Sequence, residues 1–446
     1  MFRLKPALVL AFAAQLLSGC SGNDERAATS ADARPAPDAA FLALDRKDQN
    51  LVVYDAFWQH LHASYYDPGI LSAEQWRTVR ADWREEVAGV ENTHELYYSF
   101  FPRLLKLLPE SHVDFFAPGN LIADAPPDSR PVDADIANHL ATLVFIHGPG
   151  FVSADVRRGS SLRSLVAEVS PNSPAAEAGV PPGARLLRSH AKLDAVTKSV
   201  HFEVDFVPLD ASAAQRWEIG REPVAANASG PVVHSRFDLR PFRYRQPVEV
   251  RRLRGGVQYL RFDGFGDDDF MRPVFEAIDD AGSAGLIVDL RWNGGGDAEQ
   301  LKKIAGAFLG SGVSLAEVRD RKGTSQLLTA PHRNPYSGAI VVITSPTSAS
   351  AAEVLAAAVQ DRNRGKIIGR STAGAVLGAQ AFALPDGGTV RLPMWDLRRI
   401  TGARIEGNGV VPDIWILPAI EDVRADRDPV VERALREIVK PARPAS

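Results

Sequence analysis

The sequence predicts an α/β protein whose α/β part follows a helical segment and a β-rich segment. Apolar residues recur at helical spacing from Asp45 to Leu108, whereas short apolar strands separated by turns follow between Ile136 and Phe242. From Val248 onward strands and helices alternate. That order is typical of a sheet with crossover helices, in which the active groups lie at strand ends.

Composition sets the limits within which the function must lie. The chain has 446 residues, enough for two or three domains, and its 45% hydrophobic and 24% charged residues favour a packed globular body over wholesale disorder. Its net charge of −4 argues against a dedicated nucleic-acid binder, which normally carries a strongly basic face. The single cysteine, Cys20, excludes an internal disulfide and a cysteine-based metal cluster.

The N-terminus has the features of an export signal. Two basic residues precede an apolar run of 11 residues, Ala7 to Leu17, which is too short for the roughly 20 residues that cross a bilayer. The Leu-Ser-Gly-Cys sequence that ends at Cys20 resembles a bacterial lipobox. We therefore expect a signal peptide over residues 1–20 and lipidation of Cys20 as the only membrane attachment. The protein would then lie in the bacterial cell envelope, at the inner leaflet of the outer membrane or the periplasmic face if the cell has two membranes.

Four further segments follow the signal. From Ser21 to Ala40 no apolar residue is larger than alanine, and we expect a disordered tether over residues 21–44. A helical subdomain is predicted over 45–125, a β-rich domain over 136–242 and an α/β core over 243–436. We interpret residues 211–233 as an insertion or linker within the β-rich domain.

The β-rich domain carries a recognisable signature. Ser173 to Val180, followed by Pro182 to Leu187, resembles the PDZ signature of a short capped helix and a turn into the next strand. Peptide binding by strand addition and a vestigial spacer both remain open for this domain.

The chemistry is concentrated at two strand-to-helix turns of the predicted core. Gly294, Gly295 and Gly296 follow a buried strand, where their N–H groups can approach a ligand oxygen. Their spacing fits neither a Walker loop nor a dinucleotide fingerprint, which excludes nucleotide binding. At the second turn Ser348 or Ser350 alone would be read as a helix cap. Together, the two turns predict a serine nucleophile beside an oxyanion hole.

Several motifs are similar to those of the tricorn and C-terminal processing (tail-specific) serine peptidases. They are Asp289 to Gly296, Ser348 to Glu353, Gln360-Asp361-Arg362, Gly369 to Gly374, and Glu406 to Ile414. The resemblance implies an α/β core of the crotonase/ClpP-like β/α superhelix type. It also implies that Ser350 is the nucleophile.

The family divides by the group that activates the serine. The tail-specific branch has a lysine at the position occupied here by Ala375, and Lys366 lies before its strand rather than after it. The tricorn branch uses a histidine preceded by a serine, together with a glutamate near the C-terminus. The resemblance to this branch implies His112 as the base, oriented by Glu406 through Ser111. It implies the N–H groups of Gly294 or Gly295 and of Ala351 as the oxyanion hole.

The sequence thus favours a serine peptidase that cleaves peptides or proteins through an acyl-enzyme. It requires no cofactor and no metal. The alternative is a catalytically silent binding protein that uses the same core to hold a hydrophobic ligand or a peptide. Ser350, His112 and Glu406 occurring together favour the enzyme.

Overall fold

A computed structural model describes residues 37–71, 74–105, 108, 110–118, 149–158, 161–193, 200–221, 230–238, 246–332 and 334–439. The predicted signal peptide, the lipidation site Cys20 and most of the predicted tether lie outside the described residues. No helix in the described part is long and apolar enough to span a membrane.

The N-terminal segment is helical and has an aromatic core. Its helices are α1 (Ala39–Leu42), α2 (Arg46–Ser64), α3 (Glu74–Ala88), α4 (Thr93–Glu95) and α5 (Phe101–Leu105), with a 3-10 turn at Pro68–Leu71 and a π-helical turn at Leu96–Phe100. Asp45 caps α2 by accepting the N–H of Asp48 at 2.8 Å. The prediction of a tether up to residue 44 is wrong over α1, because Phe41 is buried and packs into this core.

The next segment is an antiparallel five-stranded sheet. Its strands are β2 (Phe151–Arg158), β3 (Ser161–Val169), β4 (Arg185–Leu193), β5 (Val200–Val207) and β6 (Val233–Asp238), in that spatial order. The short helix α6 (Pro174–Glu177) is capped by Ser173, as the PDZ-like signature predicts. The interpretation of residues 211–233 as an insertion or linker is wrong at its start. A helix, α7 (Ala211–Glu218), is capped by Asp210 and buries Trp217.

The remaining residues form two more sheets with helices between their strands. The elements are β7 (Val248–Arg252), β8 (Gln258–Phe262), α8 (Asp268–Asp279), β9 (Leu286–Asp289), α9 (Ala298–Leu309), β10 (Ser314–Asp320), β11 (Gly323–Leu328), β12 (Ile340–Thr344), α10 (Ala351–Asp361), β13 (Gly365–Gly369), β14 (Gly378–Ala383), β15 (Thr389–Arg398), β16 (Ile414–Trp415), α11 (Ile420–Arg424) and α12 (Pro429–Val439).

The central sheet has the order β16-β13-β12-β9-β8-β7 and is parallel except where β7 pairs with β8. Strands β9 and β12 are buried on both faces of this sheet, which explains why their sequences are mostly apolar and do not alternate with polar residues. In the other sheet β15 pairs with β10 and β14, and also with β1 (Asp114–Phe116) from the helical segment. The predicted α/β fold is confirmed, and β1 carries the end of the helical segment onto the core.

Candidate active site

Ser350 lies at a strained turn between β12 and α10. Its backbone has φ 54° and ψ −121°, in a region that a residue with a side chain rarely adopts. The turn is held by the Ser350 N–H, which donates to the Ala375 carbonyl at 2.8 Å and to Glu353 Oε2 at 3.2 Å. Ser350 remains partly exposed. The strain and the exposure together are the features of a nucleophile elbow.

Ser348, the other candidate nucleophile, has a structural role. It is fully buried, its hydroxyl donates to the Leu290 carbonyl at 2.7 Å, and its oxygen accepts the Ser345 N–H at 3.0 Å. A hydroxyl with both partners inside the protein ties β9 to the turn after β12. It is not presented to a substrate.

Ser111 and His112 follow helix α5 and directly precede β1. The β1–β15 pairing places Asp114 opposite Arg391 and so brings the histidine to the core. Ser111 Oγ lies 2.7 Å from His112 Nδ1 and donates to Glu406 Oε2 at 2.9 Å. Because a hydroxyl has one proton, Ser111 must accept its second bond from Nδ1–H. Nε2 is then the unprotonated nitrogen that can act as a base.

Glu406 is buried and accepts three hydrogen bonds. Oε1 accepts the Ser111 N–H at 2.8 Å, and Oε2 accepts both the Ser111 hydroxyl and the Val376 N–H, the latter at 2.8 Å. Burial raises the pKa of Glu406, while the bonds from Ser111 and Val376 act to lower it. The carboxylate thereby connects Ser111, next to His112, with the backbone at Val376.

The environment keeps His112 neutral. Burial lowers its pKa to about 4, and the positive charge of Arg391 adds to the decrease, whereas Asp114 opposes it. Above that pH the ring is unprotonated and can accept a proton. In the described part of the chain its ring bonds to Ser111 and not to the Ser350 hydroxyl. Catalytic hydrogen bonds often close only when substrate binds.

The glycine turn lies against the serine. A Cβ on Gly295 would come within 2.5 Å of Ser350 Cβ, and its φ is 103°, so only glycine fits. The Gly295 N–H donates to Asn293 Oδ1 at 2.9 Å and is therefore already used. The N–H groups of Gly294 and Ala351 can still serve as oxyanion donors, since a first-turn N–H such as that of Ala351 has no acceptor within its helix.

Glu353 and Arg158 were not identified as site residues from the sequence. Glu353 is fully buried, and it accepts the N–H groups of Gly374 and Ala375 at 2.7 and 2.8 Å and the Thr372 hydroxyl. Burial raises its pKa to about 7. Its local signal is a Ser-x-x-Glu capping box with Ser350, whereas its other partners lie 19 to 22 positions away and leave no signal in the sequence.

Arg158 ends β2 of the PDZ-like sheet and reaches the same loop. Its guanidinium donates to the carbonyls of Thr372 and Ala373 at 2.9 and 3.0 Å. A second contact between these parts is the buried ion pair of Arg370 with Glu218 on α7. The PDZ-like sheet thus contacts the loop that lies beside Ser350.

The lysine of the tail-specific branch has no counterpart here. Ala375, which occupies its position, bonds through its backbone to Ser350 and Glu353. Lys366 lies within β13 rather than before it, and it pairs on the surface with Glu437 at 2.8 Å. The described residues contain no group of acidic residues, histidines and cysteines that could hold a metal ion.

An α/β core with a serine at a strand-to-helix elbow is an architecture of hydrolases. Residues 256–416 match the model of Peptidase family S41. The sequence is 28% identical over 141 residues to the carboxy-terminal processing protease CtpA of Bacillus subtilis, which is 32% of this chain and 30% of the relative. It is 30% identical over 219 residues to the tricorn protease of Thermoplasma acidophilum, which is 46% of this chain and 19% of the relative.

The chain thus spans less than two thirds of the length of either relative. A solved photosystem II D1 C-terminal processing protease has the same fold, with a TM-score of 0.56 and 19% identity over 88% of this chain and 97% of that one. The match to the family model at residues 256–416 covers the core from β8 to β16. The resemblance predicted from the motifs is confirmed.

Proposed function

We propose that this protein is a serine peptidase that hydrolyses peptide bonds of peptides or proteins through an acyl-enzyme. The observation that carries the proposal is the hydrogen-bonded series Glu406–Ser111–His112, assembled from segments 295 positions apart. It supports the arrangement of the tricorn branch, in which a histidine activates the serine. A binding protein would have no need of a neutral, oriented imidazole.

The reaction follows from the polarity of each group. Ser350 Oγ attacks the scissile carbonyl while His112 Nε2 takes its proton, and the oxyanion accepts hydrogen bonds from the N–H groups of Gly294 and Ala351. His112 then gives its proton to the leaving amine, which leaves an ester on Ser350. Water gives a proton to His112 and attacks that ester; the bond between the acyl carbon and Ser350 Oγ then breaks, Oγ takes the proton back from His112, and the acid is released.

Glu406 contributes its charge through Ser111. The ionised carboxylate fixes the Ser111 hydroxyl as its donor, and this hydroxyl in turn fixes the proton of the ring on Nδ1. When His112 becomes a cation, the nearby negative charge stabilises it. Neither residue needs to contact substrate.

A fluorophosphonate probe tests the proposal directly. The wild-type chain should be labelled and Ser350→Ala should not, whereas the control Ser348→Ala should retain the label if it is folded. Both variants should be compared by thermal unfolding. Absence of labelling at Ser350 in the folded wild-type chain would support the silent binding protein instead.

We further propose that lipidation of Cys20 holds the protein in the cell envelope. The support is the lipobox-like sequence that ends at this residue and the short apolar run before it. Cys20→Ser should move the protein from the membrane fraction to the soluble envelope fraction. A variant that stays with membranes would overturn the proposal.

A further inference from the structure

Beside the base lies a partly buried polar cluster that the proposed mechanism does not use. The Glu110 carboxylate, 7% exposed, accepts the hydroxyls of Tyr65 and Tyr66 and the guanidinium of Arg404, the latter at 2.8 Å. Arg404 also donates to the Tyr66 hydroxyl at 2.8 Å. Burial, followed by the charge of Glu110, raises the pKa of both tyrosines, so each remains a donor at neutral pH. We call these four residues the Glu110 clamp.

The position of the clamp in the chain is informative. Glu110 directly precedes Ser111, and Arg404 comes two residues before Glu406. The Glu110–Arg404 ion pair therefore joins the same two segments as the Ser111–Glu406 hydrogen bonds, one residue before Ser111 on one segment and two residues before Glu406 on the other. One segment ends the helical part and the other follows β15, so the two are brought together only by tertiary contacts.

The Ser111–Glu406 hydrogen bonds and the Glu110 clamp differ in their roles at this junction. The Ser111–Glu406 bonds pass the influence of the carboxylate to His112, and they need oxygen atoms within about 3 Å of each other. A shift of about 1 Å between the segments would break them, and such shifts can cost a hundredfold in rate. The Glu110 clamp adds the Glu110–Arg404 ion pair and the Arg404–Tyr66 hydrogen bond across the same junction, and the Tyr65 hydroxyl holds Glu110 from its own side. The Glu110 side chain there is 7% exposed and that of Arg404 is 36% exposed.

We propose that Glu110, Arg404 and Tyr66 are positioning residues that hold the His112 segment in register with Glu406. None of them contacts the reacting atoms, and they act through Ser111 and Glu406. The proposal rests on the function proposed above, in which His112 is the base. The same clamp would keep the imidazole in its Nδ1–H form.

Two variants weaken the clamp by different amounts. Tyr66→Phe removes one hydroxyl and keeps the ring, whereas Arg404→Gln removes the ion pair. The matched control is Tyr97→Phe, which also removes a buried hydroxyl bonded to a carboxylate, that of Asp386 at 2.9 Å, and which takes no part in the Glu110 clamp. Thermal unfolding of the full chain would establish that all three variants fold.

The expected result is a decrease in kcat of about tenfold for Tyr66→Phe and more for Arg404→Gln, with KM changed less than twofold. Tyr97→Phe should leave kcat unchanged at a comparable loss of stability. Neither clamp variant should lower the residual rate of His112→Ala further, since residues that act through one base are not additive. An equal loss of kcat in Tyr97→Phe, or additive losses with His112→Ala, would overturn the proposal.

A second measurement does not depend on activity. Nitrogen chemical shifts of the His112 ring in the ¹⁵N-histidine-labelled full chain report its tautomer, with His112→Ala supplying the assignment. The wild-type chain should have the Nδ1–H form alone, and Arg404→Gln a mixture. If the wild-type chain neither cleaves peptides nor reacts with the fluorophosphonate probe, the proposed function fails. The spectrum still tests whether the Glu110 clamp sets the His112 tautomer. An unchanged tautomer in Arg404→Gln would overturn it.

Discussion

Glu406→Gln is a more severe change in this protein than the similarity of the two side chains suggests. Both carboxylate oxygens accept a backbone N–H, from Ser111 on one side and Val376 on the other. A glutamine amide must therefore direct its NH₂ group at one of these donors. Leaving one buried donor unsatisfied costs about 1–3 kcal/mol of stability in either orientation.

The two orientations differ in their effect on the base. With the amide oxygen facing the Ser111 hydroxyl, the ring keeps its Nδ1–H proton and loses only the charge that stabilises its cation. With the NH₂ group facing that hydroxyl, Ser111 must donate to His112 Nδ1, which forces the proton onto Nε2. A histidine in the wrong tautomer lowers kcat by about 10⁴ in the corresponding serine protease triad. We expect a decrease in kcat of about 10²–10⁴ with little change in KM.

The assay is steady-state hydrolysis of a peptide substrate with thermal unfolding in parallel. Asp386→Asn is the matched control, because this buried carboxylate also accepts a backbone N–H, that of Gly388 at 3.0 Å, and a tyrosine hydroxyl. It should lose stability and keep its kcat. Full activity in Glu406→Gln, an equal loss in the control, or losses additive with His112→Ala would refute the reasoning.

Three more outcomes are expected. The decrease of kcat/KM at low pH should lie near the His112 pKa of about 4, because the neutral ring is the active form. Arg391→Gln should move this decrease to higher pH, because loss of a nearby positive charge raises the His112 pKa. An unchanged pH profile would show that Arg391 does not influence the His112 pKa. Arg158→Met should lower kcat by about tenfold, since the carbonyls of Thr372 and Ala373 lose their donor beside Ser350; unchanged kcat in a folded variant would contradict this coupling. Ala375→Lys should not restore the activity of His112→Ala, because a new lysine in this pocket lacks the surroundings that would keep it neutral; restored hydrolysis would count against the histidine branch.

Buried arginines connect the PDZ-like domain to the loop beside Ser350. Arg158 is almost fully buried, and burial lowers its pKa to about 10, an effect that the charges of Glu353 and Glu218 oppose. Such an arginine is costly to leave without partners, so it fixes the loop at residues 372–374 against the sheet. Arg370 and Glu218 make the neighbouring contact in the same way.

The sequence by itself determined the α/β core. The strands at 286–289 and 340–344 contain the apolar runs 286–288 and 340–343, and helix α9 follows the glycine turn, as the predicted alternation of strands and helices requires. These features depend on local periodicity and on glycine and capping residues, which act over a few positions. The serine elbow and the glycine turn were predictable for the same reason.

Long-range contacts decided the rest. The sequence alone placed neither Glu353, Arg158 nor the Glu110 clamp, because each acts on partners far along the chain. The sequence alone predicts a tether at Phe41 and an insertion or linker at helix α7, since a short apolar or helical stretch becomes ordered only when it packs against a core. Only the packing of the helical segment onto β15 brings Ser111 to Glu406, and hydrogen bonds between segments 295 positions apart leave no periodic trace in a sequence.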